Sequence, residues 1–188
     1  MSIINTTSAF SNLLLASINS AFNSNLKYSS TTFQTPKGPV TIPLTSFLGN
    51  PNFSFYTDLG FTFDEIYNGL VTSLYTFITD VSNNKIPNYD FGTISGFRIL
   101  ITIADGNVFF DSFKNEKNTY NNFLEENINQ NHGSRHYIQE AFHSKDGIGY
   151  EAKWSSTTKG LESYYSVRLG RSETGIIGVI GFSYSNTY

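Results

Sequence analysis

Three histidines come nearest to a metal-ligand pattern: His132 and His136 lie four residues apart, and His143 follows two turns later. On one continuous helix they would face the same way and could ligate a metal. Gly133 and Ser134 read as a helix start placed between His132 and His136, which breaks that geometry and leaves a cap and a surface histidine. No metal site is expected. Arg98 and Asp111 form the other suggestive pair, but opposite charges at a strand diagonal usually make a structural ion pair, not a substrate clamp. Serine is abundant, yet no G-x-S-x-G elbow or comparable context places a nucleophile beside a base. Gly175, Gly178 and Gly181 fall within a strand pattern and do not open a helix, so they read as close packing or a bulge and not as a dinucleotide fingerprint. The chain has no cysteine, which removes disulfides, thiolate chemistry and Cys-based zinc. Neither an enzyme nor a cofactor is expected.

The elements that would position these residues are organised around Phe97 to Ser112, FRILITIADGNVFFDS. Asp105-Gly106 is the two-residue signal for a type I′ turn between two β-rich runs. That turn sets Ile101 opposite Phe110 and Leu100 opposite Asp111, with Arg98 diagonal to Asp111, and it pairs Thr102 with Phe109. Both faces of the hairpin are mostly apolar, so both must be covered. Ahead of it, Thr62 and Glu65 make a capping box before Ile66, Leu70, Leu74, Phe77, Ile78 and Val81, which predicts a long one-sided helix. After it, Ser134 reads as the cap of a second helix whose inner face is Tyr137, Ile138, Ala141 and Phe142. Runs at Gly149 to Ser156, Tyr164 to Leu169 and Gly175 to Tyr184 then read as three strands. The chain order predicts an α+β domain, a five-stranded antiparallel sheet with helices clasped to it, over residues 61–188.

Residues 1–60 form a separate stretch. Phe10, Leu13, Leu14, Ile18, Ala21 and Phe22 recur near helical spacing between Thr7 and Phe22. Four of the five prolines follow, at Pro36, Pro39, Pro43 and Pro51. They exclude a regular helix and suggest an extended arm lying on its own domain or on a neighbour. Charged residues are 14% of the chain against about 25% in an average soluble protein. With a net charge of -3 no field gathers phosphates, so nucleic acid is not an expected partner. No apolar run approaches the roughly 20 residues of a membrane span, and Leu13-Leu14-Leu15 lacks the flank and length of a signal peptide. A soluble chain is expected, with no compartment implied.

The succession of Asp105, Gly106, Asp111 and Ser112, then Asn131, His132 and Arg135, then Gly147 and Gly149, then Trp154, Ser155 and Tyr164, resembles the PAS-like sensor domain of bacterial sensor kinases and chemoreceptors, the Cache group. The resemblance covers about residues 62–185. It implies a PAS/Cache-like sheet with a long helix ahead of it, and a pocket between the sheet and Asn131 to Phe142. Arg135 would pair with a carboxylate there, with His132 and Tyr137 nearby, Trp154 and Tyr164 as walls and Arg168 as a second cation. Family members usually sit between two membrane helices and signal to an attached effector; this chain shows neither. The amino-acid-binding subset carries Trp and Tyr where Tyr137 and Ile138 stand here, so amino-acid recognition is not implied.

Two readings of function follow. One is a non-catalytic sensor-type module that binds a small ligand, carboxylate-bearing if any, and is read out by a separate protein. The other is an assembly protein that reuses the PAS-like core and forms a homo-oligomer, or binds another protein, through residues 1–60. The Asn-rich, low-charge composition resembles that of proteins of large DNA viruses, which would suit the second.

Overall fold

The computed structural model describes residues 3–49, 54–103, 105–125, 131–155, 159–170 and 178–186. Helix α1 (Ile3–Ser24) leads into a two-stranded hairpin, β1 (Ser30–Thr35) and β2 (Gly38–Pro43), followed by the short helices α2 (Leu44–Gly49) and α3 (Ser54–Asp58). Helix α4 (Phe63–Ser82) precedes β3 (Arg98–Thr102) and β4 (Val108–Asp111); α5 (Tyr120–Leu124) and α6 (His136–His143) come next, then β5 (Ile148–Ser155), β6 (Gly160–Arg168) and β7 (Val179–Asn186). The five strands from β3 onward form one antiparallel sheet in the order β4-β3-β7-β6-β5. This is the α+β arrangement, a five-stranded antiparallel sheet with helices against it, that the order of the sequence elements predicted.

Local chemistry explains where the elements begin. The Thr62 hydroxyl accepts the Glu65 N–H and donates to the Glu65 carboxylate, both at 3.1 Å, closing the first turn of α4. Ser134 does not cap α6: Arg135 holds the N-cap position and makes no capping bond through its side chain. The β3–β4 hairpin keeps the expected register at Leu100–Asp111 and Ile101–Phe110, then shifts so that Thr102 faces Val108 and Phe109 forms a bulge. Its tip is not a two-residue turn: Gly106 N–H donates to Ile103 O and Ile103 N–H to Asn107 O, so three residues lie between the closing pair. Gly106 takes φ +91, and its glycine identity is doubly required, because an added Cβ would lie 2.4 Å from Gly133 Cα.

One face of the sheet is covered by α1 and α4. Ile99, Ile101, Tyr165, Ile180 and Phe182 meet Leu15, Ile18 and Phe22 of α1 and Leu70, Leu74 and Phe77 of α4 in a single core. The apolar stripe of α1 differs in phase from the sequence reading: Leu15, Ile18, Ala21 and Phe22 are buried, whereas Phe10 and Leu13 are 64% and 69% exposed. Spacing of three and four around Ile18 gives one continuous stripe, and Phe10 and Leu13 fall a residue out of it. The Pro-bearing segment is a hairpin and two short helices. Ile42, Leu44, Phe47 and Leu48 join the same core, and the Ser73 hydroxyl of α4 donates to Ser30 O of β1 at 2.7 Å. No helix among the described residues is long and apolar enough to cross a membrane.

Candidate functional site

The opposite face of the sheet carries α6. Strand alternation sends Arg98 and Leu100 of β3, Gly181 and Ser183 of β7, and Tyr164 and Ser166 of β6 to this side. Helix α6 is held close by Ser166, whose hydroxyl donates to Tyr137 O at 2.6 Å, and by Arg168, which donates to Phe142 O at 2.8 Å. The Glu140 carboxylate accepts the Tyr150 N–H at 2.8 Å. Gly149 permits this approach, since a Cβ there would lie 2.4 Å from Tyr137 O. Beneath the helix, Tyr137, Ile138, Ala141 and Phe142 bury against Leu100, Val108, Tyr164 and Val179.

Arg98 and Asp111 form a bidentate pair, Nε to Oδ1 at 2.9 Å and Nη2 to Oδ2 at 2.7 Å, with the carboxylate almost wholly buried. Burial works to lower the Arg98 pKa, but the bonds to Asp111 outweigh it and hold the guanidinium above its usual value. Asn118, which the sequence reading missed, braces the strand at this point: its side chain accepts the Asp111 N–H and donates to Asp111 O and to the Tyr75 hydroxyl. The Phe113 ring lies 5.1 Å from the Arg98 guanidinium carbon. The only hint in the sequence is that both follow Asp111 closely.

The segment before α6 clips onto the hairpin tip. The Asn131 amide donates to Asp105 O at 3.0 Å and to Asn107 Oδ1 at 2.7 Å, while its oxygen accepts the Gly133 N–H at 2.8 Å. His132 N–H donates to Gly106 O at 2.9 Å, and its ring is buried. Burial, reinforced by the charges of Arg135 and Arg98, pushes the His132 pKa down to about 4. The imidazole is therefore neutral near pH 7. The other histidines point elsewhere: His136 pairs with Glu140 at 2.9 Å and His143 meets Gln139 at 3.1 Å. Among the described residues no group of three or more His, Asp or Glu side chains is placed to hold a metal ion.

Tyr137 and Tyr164 stack face to face, with centroids 4.7 Å apart and planes 12° apart. The Tyr164 hydroxyl donates to Glu162. The Tyr137 hydroxyl is buried without a hydrogen-bond partner among the described residues, and burial, opposed by the charges of Arg135 and Arg98, pushes its pKa up to about 12. The gap left between this stack and Arg98, Leu100, Gly181 and Ser183 is too narrow to admit water. Open grooves lie outside it, about 340 Å³ along Phe113 to Lys117 and about 540 Å³ between β1 and α4.

The sequence-predicted residues divide accordingly. His132, Arg135, Tyr137 and Tyr164 gather at one end of α6, beside Arg98 and Asp111. Arg168 is at the other end, spent on the carbonyls that close the helix. Trp154 does not wall the gap: it shares the strand parity of Ile148 and Tyr150, whose side chains pack toward the α1 side, and it is 64% exposed. Gly178 and Gly181 border β3, where an added Cβ on Gly178 would lie 2.5 Å from Thr102 O; Gly175 lies outside the described residues. Arg135 is half-buried, and its side chain makes no hydrogen bond or ion pair to a described residue.

No family model matches the chain, and no curated protein matches it. Solved structures of the sensory, ligand-binding domain of the Campylobacter jejuni chemoreceptor Tlp3 align with it. The complex with 4-methylisoleucine does so at 17% identity and a TM-score of 0.41, covering 98% of this chain and 61% of that one. The domain with isoleucine bound gives 16% identity and a TM-score of 0.39, covering 96% and 60%. The chain thus spans about three fifths of the length of the solved chains it matches.

Proposed function

We propose that the protein is a non-catalytic PAS/Cache-like module that binds a small carboxylate-bearing molecule at the start of α6 and is read out by a separate protein. The observation that carries this reading is Arg135. A half-buried guanidinium offers five donors in a planar fork, and this one makes no bond to a described residue. The charges of Arg98 and Arg135 are both felt at His132, Tyr137 and Lys114, while Asp111 opposes them at all three and Glu151 joins it at Tyr137, leaving Lys114 to tip the balance. The surplus is positive, which favours an anion. The remainder of the ligand fits only when Tyr137 leaves its stack on Tyr164, because the present gap admits nothing.

The alternative, assembly through residues 1–60, draws less support. Leu15, Ile18 and Phe22 of α1, Ile42 of β2 and Phe47 of α2 are committed to their own core. A viral origin has no support either. Native mass spectrometry of the purified protein, gentle and then denaturing, tests the binding reading. Extra mass that vanishes on denaturation, and that is missing from a folded Arg135→Ala variant, is the expected result. A bare protein that also shows no thermal shift with a panel of small mono- and dicarboxylates would reject it.

A further inference from the structure

We propose that the chain forms a two-fold dimer by antiparallel pairing of the outer edges of β5, centred on Ala152, which joins two five-stranded sheets into one. β5 ends the sheet: β6 lies on one side of it, and no described strand lies on the other. Its backbone parity can be read from three bonds. Gly147 O accepts from Arg168 on the β6 side, whereas Ile148 N–H donates to Ser144 Oγ and Tyr150 N–H to Glu140, both away from β6. Even-numbered residues therefore point their N–H and C=O outward, and Ala152 and Trp154 present theirs at the open edge. Trp154 is 64% exposed beside it.

The side chains along this edge are complementary to a second copy of themselves. In Tyr150-Glu151-Ala152-Lys153-Trp154, a two-fold axis at Ala152 sets Glu151 opposite Lys153 of the second copy, and Lys153 opposite its Glu151. Tyr150 and Trp154 meet in the same way on the other face. The parity suits this register, because Ala152 would exchange both backbone bonds with its counterpart, leaving Glu151 and Lys153 at positions where side chains approach most closely. Neither Glu151 nor Lys153 has an ion pair with a described residue. The neighbouring two-fold registers fail on charge, one placing Glu151 on Glu151 and the other Lys153 on Lys153. Odd offsets fail on backbone, since outward groups would face inward ones. Glu140 keeps the Tyr150 N–H, so the ladder is short and association should be weak and concentration-dependent.

Sedimentation velocity over a concentration series tests the proposal on the whole chain. Wild type should dimerise, and Glu151→Lys and Lys153→Glu should each weaken the dimer roughly tenfold, since either change opposes like charges twice. An equimolar mixture of the two variants should dimerise again, as should the double swap. Ala152→Cys, in a chain with no other cysteine, should cross-link on mild oxidation, because a hydrogen-bonded pair brings Cα atoms to about 5.5 Å. A protein monomeric at every concentration overturns the proposal. So does a dimer indifferent to both single reversals, a mixture that stays monomeric, or a dimerising Ala152→Cys chain that does not cross-link.

Discussion

On the side of the sheet covered by α1 and α4, Phe22, Phe77, Phe97 and Phe182 meet edge to face or stacked, among buried leucines and isoleucines. On the side covered by α6, a smaller apolar cluster shares its space with an ion pair, a buried imidazole and a tyrosine hydroxyl that has no partner among the described residues. Packing on the first side is mainly apolar, with directional bonds such as Tyr28 to Asp80 and Ser73 to Ser30 O at its margins. Packing on the second depends on named bonds: Ser166 to Tyr137 O, Arg168 to Phe142 O and Asn131 to the hairpin tip. Few charges are present, and several of them converge at the start of α6.

The largest expected effect lies on the apolar side. Phe77 is fully buried and touches Phe22, Tyr28, Phe97 and Phe182, so it ties α1, α4, the chain entering β3 and β7 together. Phe77→Ala should destabilise the protein by about 3–5 kcal/mol, read from urea unfolding. A much smaller loss would mean that α1 and α4 are loosely held, and the contrast between the faces would weaken.

Next comes the polar side. Asp111→Asn leaves Arg98, only 16% exposed at its side chain, without its counter-charge, and should cost about 3 kcal/mol. Replacing both partners with apolar residues of similar volume, Arg98→Met with Asp111→Leu, should recover most of that loss. If the double variant stays as unstable as the single one, the pair is doing more than neutralising itself. Asn118 and the Phe113 ring would then be the groups to examine.

Features written locally were legible before the structure. The Thr62 and Glu65 cap, the register of Leu100 with Asp111 and the inner face of α6 follow from short-range chemistry. What escaped needs knowledge of a partner. The bulge at Phe109 arises because the hairpin tip must close over Asn107 and dock on Asn131, a residue 24 positions away. The phase of α1 was misjudged because Phe10 and Leu13 sit beside the true stripe, and only the sheet decides which leucines it takes. For the candidate site, His132, Arg135 and Tyr137 are neighbours in sequence, so their proximity was accessible. Trp154 was not placed correctly, since one residue of strand parity sends a side chain to the other face. Tyr137 stacking into the expected pocket has no local signature at all.

The smallest of these effects is also the most specific to the α6 side. His132 has an ordinary value of 6.5 when unfolded and about 4 in the folded chain, lowered chiefly by burial and further by Arg135 and Arg98. Between those values the unfolded chain binds a proton that the folded chain refuses. Stability contributed by the neutral ring is therefore fully present above pH 6.5 and is lost as pH falls toward 4. That difference comes to about 3 kcal/mol, which solvent screening at the ring reduces to a loss of roughly 2 kcal/mol across the window. His132→Gln should flatten the slope between pH 4 and 6.5 in urea titrations while leaving the Asp and Glu contributions below it. A slope unchanged by that substitution would place the titrating group elsewhere. Arg135→Ala offers a finer check, because removing one of the two cations that oppose His132 protonation should raise the histidine pKa, seen directly by NMR titration of the ring. Occupation of Arg135 by an anion should act in the same direction as its removal, so a ligand bound at the start of α6 would announce itself as a His132 that protonates more easily.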